Sequence, residues 1–302
     1  MKNFKGGTAV ITGAGSGFGL ETSRIAAKLG MNVVMADVQQ DALDKAVAEI
    51  EALGAQVLPF RLDVAKAAEV EALGAATFKR FGAPSFVFNN AGVGAGGLIW
   101  ETTLKDWEWV VGVNLMGVAH GMRVFTPMML EAAARDPAYE GHIVNTASMA
   151  GLLNPPCSSV YNATKAAVIA MSETLYHDLC LVTDQVRASV LCPYFVPTGI
   201  VHSGRNRSAE LANDAKPTKS QLIAQAMSEK AVTSGKLTAA QVAQFVFDGV
   251  AEGNFYIYSH PRALGSVQVR LEDLMSARNP SDPFAHKPEL GAALRAQLRA
   301  VD

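Results

Sequence analysis

Four glycines, Gly13, Gly15, Gly17 and Gly19, alternate along the stretch that joins a short β-branched run, residues 8–12, to an apolar helical pattern near 17–29. Only residues without a Cβ pass freely through so sharp a strand-to-helix turn, so the chain is committed there to a strand, a tight corner and a helix. The alternation continues along the sequence. Strands are predicted at 8–12, 32–37, 56–62, 85–89, 142–147, 187–192 and 254–258, with helices near 17–29, 41–53, 65–81, 104–134, 159–182 and 238–251. Short strands separated by helix-length patterns read as βαβ units and a parallel sheet. The expected fold is α/β, one doubly wound domain around a seven-stranded parallel sheet.

Two segments break the rhythm. Residues 193–237 carry Pro193, Pro197 and Pro217 and a predicted helix near 218–230. An insertion beyond a strand's carboxyl end sits where open α/β sheets bind ligands, and long segments of this kind are often lids. The tail from Ser259 is punctuated by His260-Pro261, Asn279-Pro280 and Asp282-Pro283 and holds one or two amphipathic helices. The reading is a domain over 1–260, including the loop 193–237, with 261–302 as a helical extension of the same domain.

The formal charge of this 302-residue chain is −2, and its lysines and arginines are scattered singly, which argues against a nucleic-acid partner. Cys157, Cys180 and Cys192 form no Cys-x-x-Cys pair and make an odd total. That pattern points to a reducing compartment and away from a disulfide framework or a metal site. No run is apolar for long enough to suggest a membrane span, and the first residues are too short for a signal-peptide core. A cytoplasmic protein acting on a small molecule is expected.

The glycine-rich corner has its own chemistry. A helix N-terminus offers unpaired N–H groups and the positive end of a dipole to phosphates, and glycines let backbone approach a pyrophosphate. Asp37 ends the second strand 18 residues beyond Gly19, where a carboxylate can accept from ribose hydroxyls and would repel a 2′-phosphate. Neither Ser16 nor Val38 is basic, so NAD is expected over NADP.

Tyr161 and Lys165 are four apart and share one face of a predicted helix. A phenol titrates at roughly 10, and a nearby ammonium stabilises the phenolate and lowers that value. Ser148, at the end of the fifth predicted strand, offers a second hydroxyl. A hydroxyl donor and a tyrosine with tuned acidity can together hold and protonate a carbonyl oxygen during hydride transfer.

The chain resembles the short-chain dehydrogenase/reductases over residues 5–260. The matching motifs are Thr12–Gly19, Leu62-Asp63-Val64, Asn89-Asn90-Ala91-Gly92, Asn114 within Val113-Asn-Leu, Ser148, and Tyr161-Asn-Ala-Thr-Lys165, in family order and at family spacing. The resemblance implies a Rossmann-type fold with Tyr161 as general acid/base and Ser148 as partner of the substrate oxygen. It makes Lys165 both pKa modifier and ribose ligand, and Asn114 the holder of a water linked to Lys165. It implies cofactor contacts from Gly13, Ser16, Gly17, Phe18, Gly19, Asp37, Asp63, Val64, Asn90, Ala91 and Gly92. Tyr161, Lys165, Pro193, Val196 and Thr198 complete that set, with Thr198 near the carboxamide. It also implies a homodimer or homotetramer built on the helices at 104–134 and 159–182. One departure stands out: Tyr194 follows Pro193 where many family members have glycine, which puts the role of Thr198 in question.

Substrate contacts are expected from Leu98, Met149, Leu153, Tyr194 and Phe195, a mostly apolar set. The expected substrate is a medium-sized, largely apolar secondary alcohol or its ketone, with oxidation the favoured direction. Within the family there is a lesser resemblance to enzymes that oxidise benzylic alcohols of lignin-derived aryl ethers; a steroid or terpenoid alcohol dehydrogenase is a further alternative. From another class, a non-catalytic nicotinamide sensor or scaffold would keep the fold and lose the reaction. Arg205 and Arg207 are expected to be solvated loop charges. Trp107 and Trp109 are read as packing residues, and Trp100 as the tryptophan best placed for the pocket.

Overall fold

A computed structural model describes residues 1–300. Seven strands form one parallel sheet: β1 (Thr8–Thr12), β2 (Asn32–Asp37), β3 (Val57–Arg61), β4 (Phe86–Asn89), β5 (Gly141–Thr146), β6 (Val186–Cys192) and β7 (Tyr256–Tyr258). Their order is β3-β2-β1-β4-β5-β6-β7, so the chain starts at the middle, runs to one edge, then returns to build the other half. The crossovers on both sides of β1 diverge there and open a crevice beyond the carboxyl ends of β1 and β4. Each strand boundary lies within two residues of its sequence-based expectation.

Both faces of the sheet are buried, and the period of two along each strand decides which side chain goes where. Ala9 and Ile11 of β1, with Phe86 and Phe88 of β4, join one core with α1 (Gly17–Lys28), α2 (Gln40–Ala52) and α9 (Ala239–Glu252). Val10, Val34 and Val87 point the other way, into a core with α3 (Ala67–Phe81), α5 (Gly117–Arg135) and α7 (Ser159–Val182). Reciprocal capping boxes start α4 (Leu104–Val111), α8 (Lys219–Thr233) and α9, pairing Thr103 with Asp106, Thr218 with Gln221 and Thr238 with Gln241.

Two departures from expectation matter for function. The stretch expected as one helix over 104–134 is α4 and α5 joined by a π-type turn, Gly112–Met116, with Asn114 inside it. A short helix, α6 (Met149–Leu153), intervenes between β5 and α7. The tail carries α10 (Leu264–Met275) and α11 (Pro288–Arg299), and Val267 of α10 is buried with Met149, Val168 and Cys192.

Candidate active site

The glycine corner forms as the spacing requires. Gly13 and Gly17 hold φ of +66° and +54°, and a Cβ on Gly19 would collide with the Gly13 carbonyl. Substitution at any of the three would distort the turn. Asp37 braces the turn from the next strand: Oδ2 accepts from the Gly15 N–H at 2.9 Å, and Oδ1 from the Gln39 N–H at 2.9 Å. Thr12, just before the glycines, accepts from the Asn90 and Ala91 N–H groups at 2.9 and 3.1 Å. The Asn90 carboxamide in turn donates to the Thr12 carbonyl at 2.9 Å. The loops after β1 and β4 are thereby bolted together across the crevice. Asp63 caps its own loop through the Ala65 N–H, and the Val64 side chain is buried in the second core.

The chemistry-bearing side chains converge one strand further on. Lys165 is buried and donates from Nζ to the Thr146 carbonyl at 2.8 Å, while Nζ stands 5.7 Å from the centre of the Tyr161 ring. Ser148 is the N-cap of α6, accepting from the Ala150 N–H at 3.1 Å, and its hydroxyl lies close enough to the Tyr161 phenol to stabilise the phenolate. Asn114 is fully buried, its carboxamide clasping the Val93 backbone: Oδ1 accepts from the N–H at 2.8 Å and Nδ2 donates to the carbonyl at 2.9 Å. A Cβ on Gly92 would lie 3.5 Å from Asn114 Oδ1 and 3.6 Å from Lys165 Nζ, so those three positions share one small volume. A local pattern in the sequence would not show this assembly, because each member sits on a different element.

Burial changes the acid–base expectation. Tyr161 was expected below the ordinary phenol range because of Lys165. Instead burial pushes the phenol up, with the Ser148 hydrogen bond pulling it the other way. The same burial lowers Lys165 to about 8 against a smaller raising effect from Cys192, while Cys192 itself is pushed up to about 12. In this cleft desolvation outweighs the pairing of the two groups.

The other residues expected at the site are held as follows. Met149 is fully buried in the core cluster with Val118, Val168 and Val267, behind the cleft and away from its wall, because α6 turns that side chain toward α10. The Val196 side chain likewise packs into the first core. Leu153 packs beside the cluster that holds Met149. Phe18 is partly buried against the first core. The Pro193 carbonyl accepts from the Met149 N–H at 2.9 Å and from the Ser148 hydroxyl at 3.3 Å, fixing the start of α6. Thr198 comes over the glycine corner, its methyl 3.5 Å from where a Gly17 Cβ would be. Tyr194 and Phe195 are adjacent exposed rings with centroids 4.3 Å apart. Trp100 is 76 % exposed, in a short 3-10 turn after β4.

Arg207 is not a solvated charge either. It pairs with buried Asp106 at 2.7 Å and lies 5.0 Å over the Trp109 ring. Ser203 and Ser220 were missed as well: their hydroxyls accept from the Gly94 and Leu98 N–H groups at 3.0 and 2.9 Å and hold the insertion on the loop after β4. The Thr103-x-x-Asp106 capping pattern was the one local signal that pointed at this region. Among the described residues, no group of three or more His, Cys, Asp or Glu is placed to hold a metal ion. No helix among them is long and apolar enough to cross a membrane.

A crevice at the switch point of an open parallel sheet, lined by a glycine corner and a Ser–Tyr–Lys cluster, defines an oxidoreductase of the dinucleotide-binding class. The chain belongs to the short chain dehydrogenase family, whose model matches residues 7–209. It is similar to a short chain dehydrogenase/reductase from Burkholderia phymatum solved in complex with NAD, at 51% identity and a TM-score of 0.91, covering 94% of this chain and 100% of that one. It is 32% identical to a CLA biosynthesis dehydrogenase/reductase of Lactiplantibacillus plantarum, over 91% of this chain and 96% of the relative. It is also 32% identical to a C alpha-dehydrogenase of a Sphingobium species, over 97% of this chain and 94% of the relative.

Proposed function

We propose that this enzyme transfers hydride between NAD and a medium-sized, largely apolar secondary alcohol or its ketone, with Tyr161 as the general acid/base. The observation that carries the reading is the gathering of Ser148, Tyr161 and Lys165 at the end of β5, next to Gly92 of the loop that is bolted to the glycine corner. The residues fit the cofactor. Left-handed φ at Gly13 and Gly17 and the close Gly19–Gly13 approach make a bare backbone turn against which a pyrophosphate could rest, and the first turn of α1 presents N–H groups that the helix cannot use itself. Asp37 stands at the ribose end and disfavours a 2′-phosphate.

Bound NAD accepts the hydride released from the carbinol carbon. Tyr161 takes the hydroxyl proton as that carbon is oxidised, and returns it when the ketone is reduced. Ser148 holds the same oxygen and orients the phenol. Lys165 supplies positive charge beside the phenolate and a donor to ribose. Asn114 fixes the Val93 backbone, which keeps the cleft's lining next to Lys165.

A benzylic alcohol of an aryl ether is the substrate reading favoured within this class. It is supported by the likeness to the C alpha-dehydrogenase and by the exposed Tyr194–Phe195 ring pair at the cleft. The same proposal takes 1–260 with 261–302 as one domain, supported by the burial of Val267 with core residues, and takes assembly as a homodimer or homotetramer. The test is NADH formation by near-ultraviolet absorbance on aryl, alicyclic and steroid secondary alcohols, with NAD and NADP in parallel and Tyr161→Phe as control. Turnover with NAD that vanishes in the variant, strongest on apolar alcohols, is the expected result. Turnover confined to small polar hydroxy acids would overturn the substrate reading, and cofactor binding without turnover on any alcohol would favour a sensor.

A further inference from the structure

One carboxylate gathers three separate points of the insertion that follows β6. Asp106 sits in the first turn of α4, where Oδ2 accepts from the Thr103 N–H at 3.0 Å to close the capping box. Its Oδ1 accepts from Arg207 at 2.7 Å and from the Asn213 carboxamide at 2.9 Å, and Gln221 at the start of α8 approaches Oδ2 at 3.5 Å. Asp106 is 3 % exposed. Burial pushes its carboxyl up, yet the hydrogen bonds from Thr103, Arg207 and Asn213 prevail and hold it below the usual range, so it remains an anion. Arg207 also donates to the Leu211 carbonyl and to Asn213 Oδ1, and its guanidinium carbon stands 5.0 Å from the Trp109 ring centre.

The segment so held is the one that grips the substrate side of the cleft. Ser203 and Ser220 take the Gly94 and Leu98 N–H groups, and the far end of that same loop is Val93, clasped by Asn114. Where residues 199–221 lie therefore decides where the backbone from Gly94 to Leu98 lies, two residues beyond the Gly92 that adjoins Lys165. A buried ion pair loses far more when one partner is removed than it gains by forming, so such a node is all-or-none. The long insertion, of a kind that is often a lid, is pinned here to α4 and to the loop after β4.

We propose that Asp106 is a positioning residue for this wall: through Arg207 and Asn213 it holds residues 199–221 closed on the loop after β4 and so shapes the pocket that the alcohol enters. The inference rests on the alcohol-oxidising reading above for its kinetic arm only. The test compares Arg207→Met, which keeps bulk and loses the charge, with Arg207→Lys and with Asn213→Ala, which removes one arm without stranding a buried charge. Three readings are taken: KM and kcat on the best alcohol of the panel, the NADH dissociation constant by fluorescence, and proteinase K cleavage mapped by mass spectrometry.

Arg207→Met is expected to raise KM for the alcohol about tenfold or more, as misplacement of a binding wall does, with a much smaller change in NADH affinity. Cleavage within 199–218 is expected to come earlier, with Arg207→Lys recovering part of both effects and Asn213→Ala showing a milder form. Unchanged KM and cleavage in Arg207→Met would overturn the proposal, as would alcohol KM and NADH dissociation constant rising in step. Should Arg207→Met not fold, an Asn213→Ala protein indistinguishable from wild type in KM and cleavage would overturn it too. If wild type oxidises no alcohol, the functional reading fails by itself, and the cleavage comparison still decides whether Asp106 holds the wall.

Discussion

The Lys165 ammonium stands 5.7 Å from the centre of the Tyr161 ring and is tethered by the Thr146 carbonyl at 2.8 Å, so the end of β5 fixes a cation beside the phenol. Burial raises Tyr161 and lowers Lys165 to about 8, which drives the two titrations apart. Tyr161 must be deprotonated to take a proton from an alcohol, so kcat/KM for oxidation rises with pH and the ketone direction falls. Lys165→Met removes the cation beside the ring and leaves only Ser148 against burial. It is expected to shift the rising limb of the oxidation profile to higher pH and lower kcat/KM by about 10²-fold or more. An unshifted limb in the variant's pH–rate profile would refute this role.

Ser148 performs two tasks with one oxygen, capping α6 and standing by the Tyr161 phenol. Ser148→Ala therefore loses both. Loss of a donor to the substrate oxygen is expected to cost about 10²-fold in kcat, and loss of the cap about 1 kcal/mol in stability. Ser148→Thr, which keeps the hydroxyl, is expected to recover more stability than activity. Steady-state kinetics and thermal melts on the same preparations separate the two, and a kcat loss no larger than the melting shift implies would reduce Ser148 to a cap.

The sheet and the glycine corner were legible because their signals are local: β-branched runs set the strands, and a turn without Cβ atoms can be read from eight consecutive residues. The helix expected over 104–134 was legible in extent but not in shape. Its apolar pattern runs straight through the π-type turn, and what breaks the helix there is the grip of Asn114 on Val93, 21 residues away. Arg207 looked like a loop charge because its partner, Asp106, lies 101 residues earlier. Met149 looked like a pocket residue because the five-residue helix that turns it into the core is too short to leave a periodicity. Local chemistry survives in a sequence, whereas pairings across the fold do not.

His142 on β5 is a buried neutral base. Ser189 donates to the Asn254 carbonyl at 2.7 Å and so accepts from His142 Nε2 at 2.7 Å, which leaves Nδ1 without a hydrogen-bond partner. Burial, with smaller contributions from the N-terminus and Arg187, brings its pKa from 6.5 down to about 3. The unfolded chain takes up a proton below pH 6.5 that the folded chain refuses until about pH 3. Stability is therefore fully present above 6.5 and is lost on acidification, by about 1.4 kcal/mol per pH unit from this group alone. Urea melts at pH 7 and pH 5 on wild type and His142→Gln are expected to show a steeper loss for wild type. Parallel losses would show that His142 does not drive the acid sensitivity.

Gly151 lies where α6 crosses α7 at the lysine itself. A Cβ there would stand 2.5 Å from the Lys165 carbonyl carbon and 2.6 Å from the Ala166 nitrogen, and both are backbone atoms that cannot swing aside. Gly151→Ala must push the two helices apart, at an overpacking cost of about 1–3 kcal/mol. The displacement falls between Ser148, at one end of α6, and Tyr161, one turn before Lys165 on α7. A shift near 1 Å between groups that must meet on one substrate oxygen is expected to lower kcat about 10²-fold. The glycine corner and Asp37 lie on other elements, so NADH affinity is expected to fall much less than kcat, through the ribose donor Lys165 alone. Kinetics, NADH titration and a thermal melt on the Gly151→Ala protein read these separately. Undiminished kcat in a destabilised protein would mean that the spacing of α6 and α7 does not set the Ser148–Tyr161 geometry.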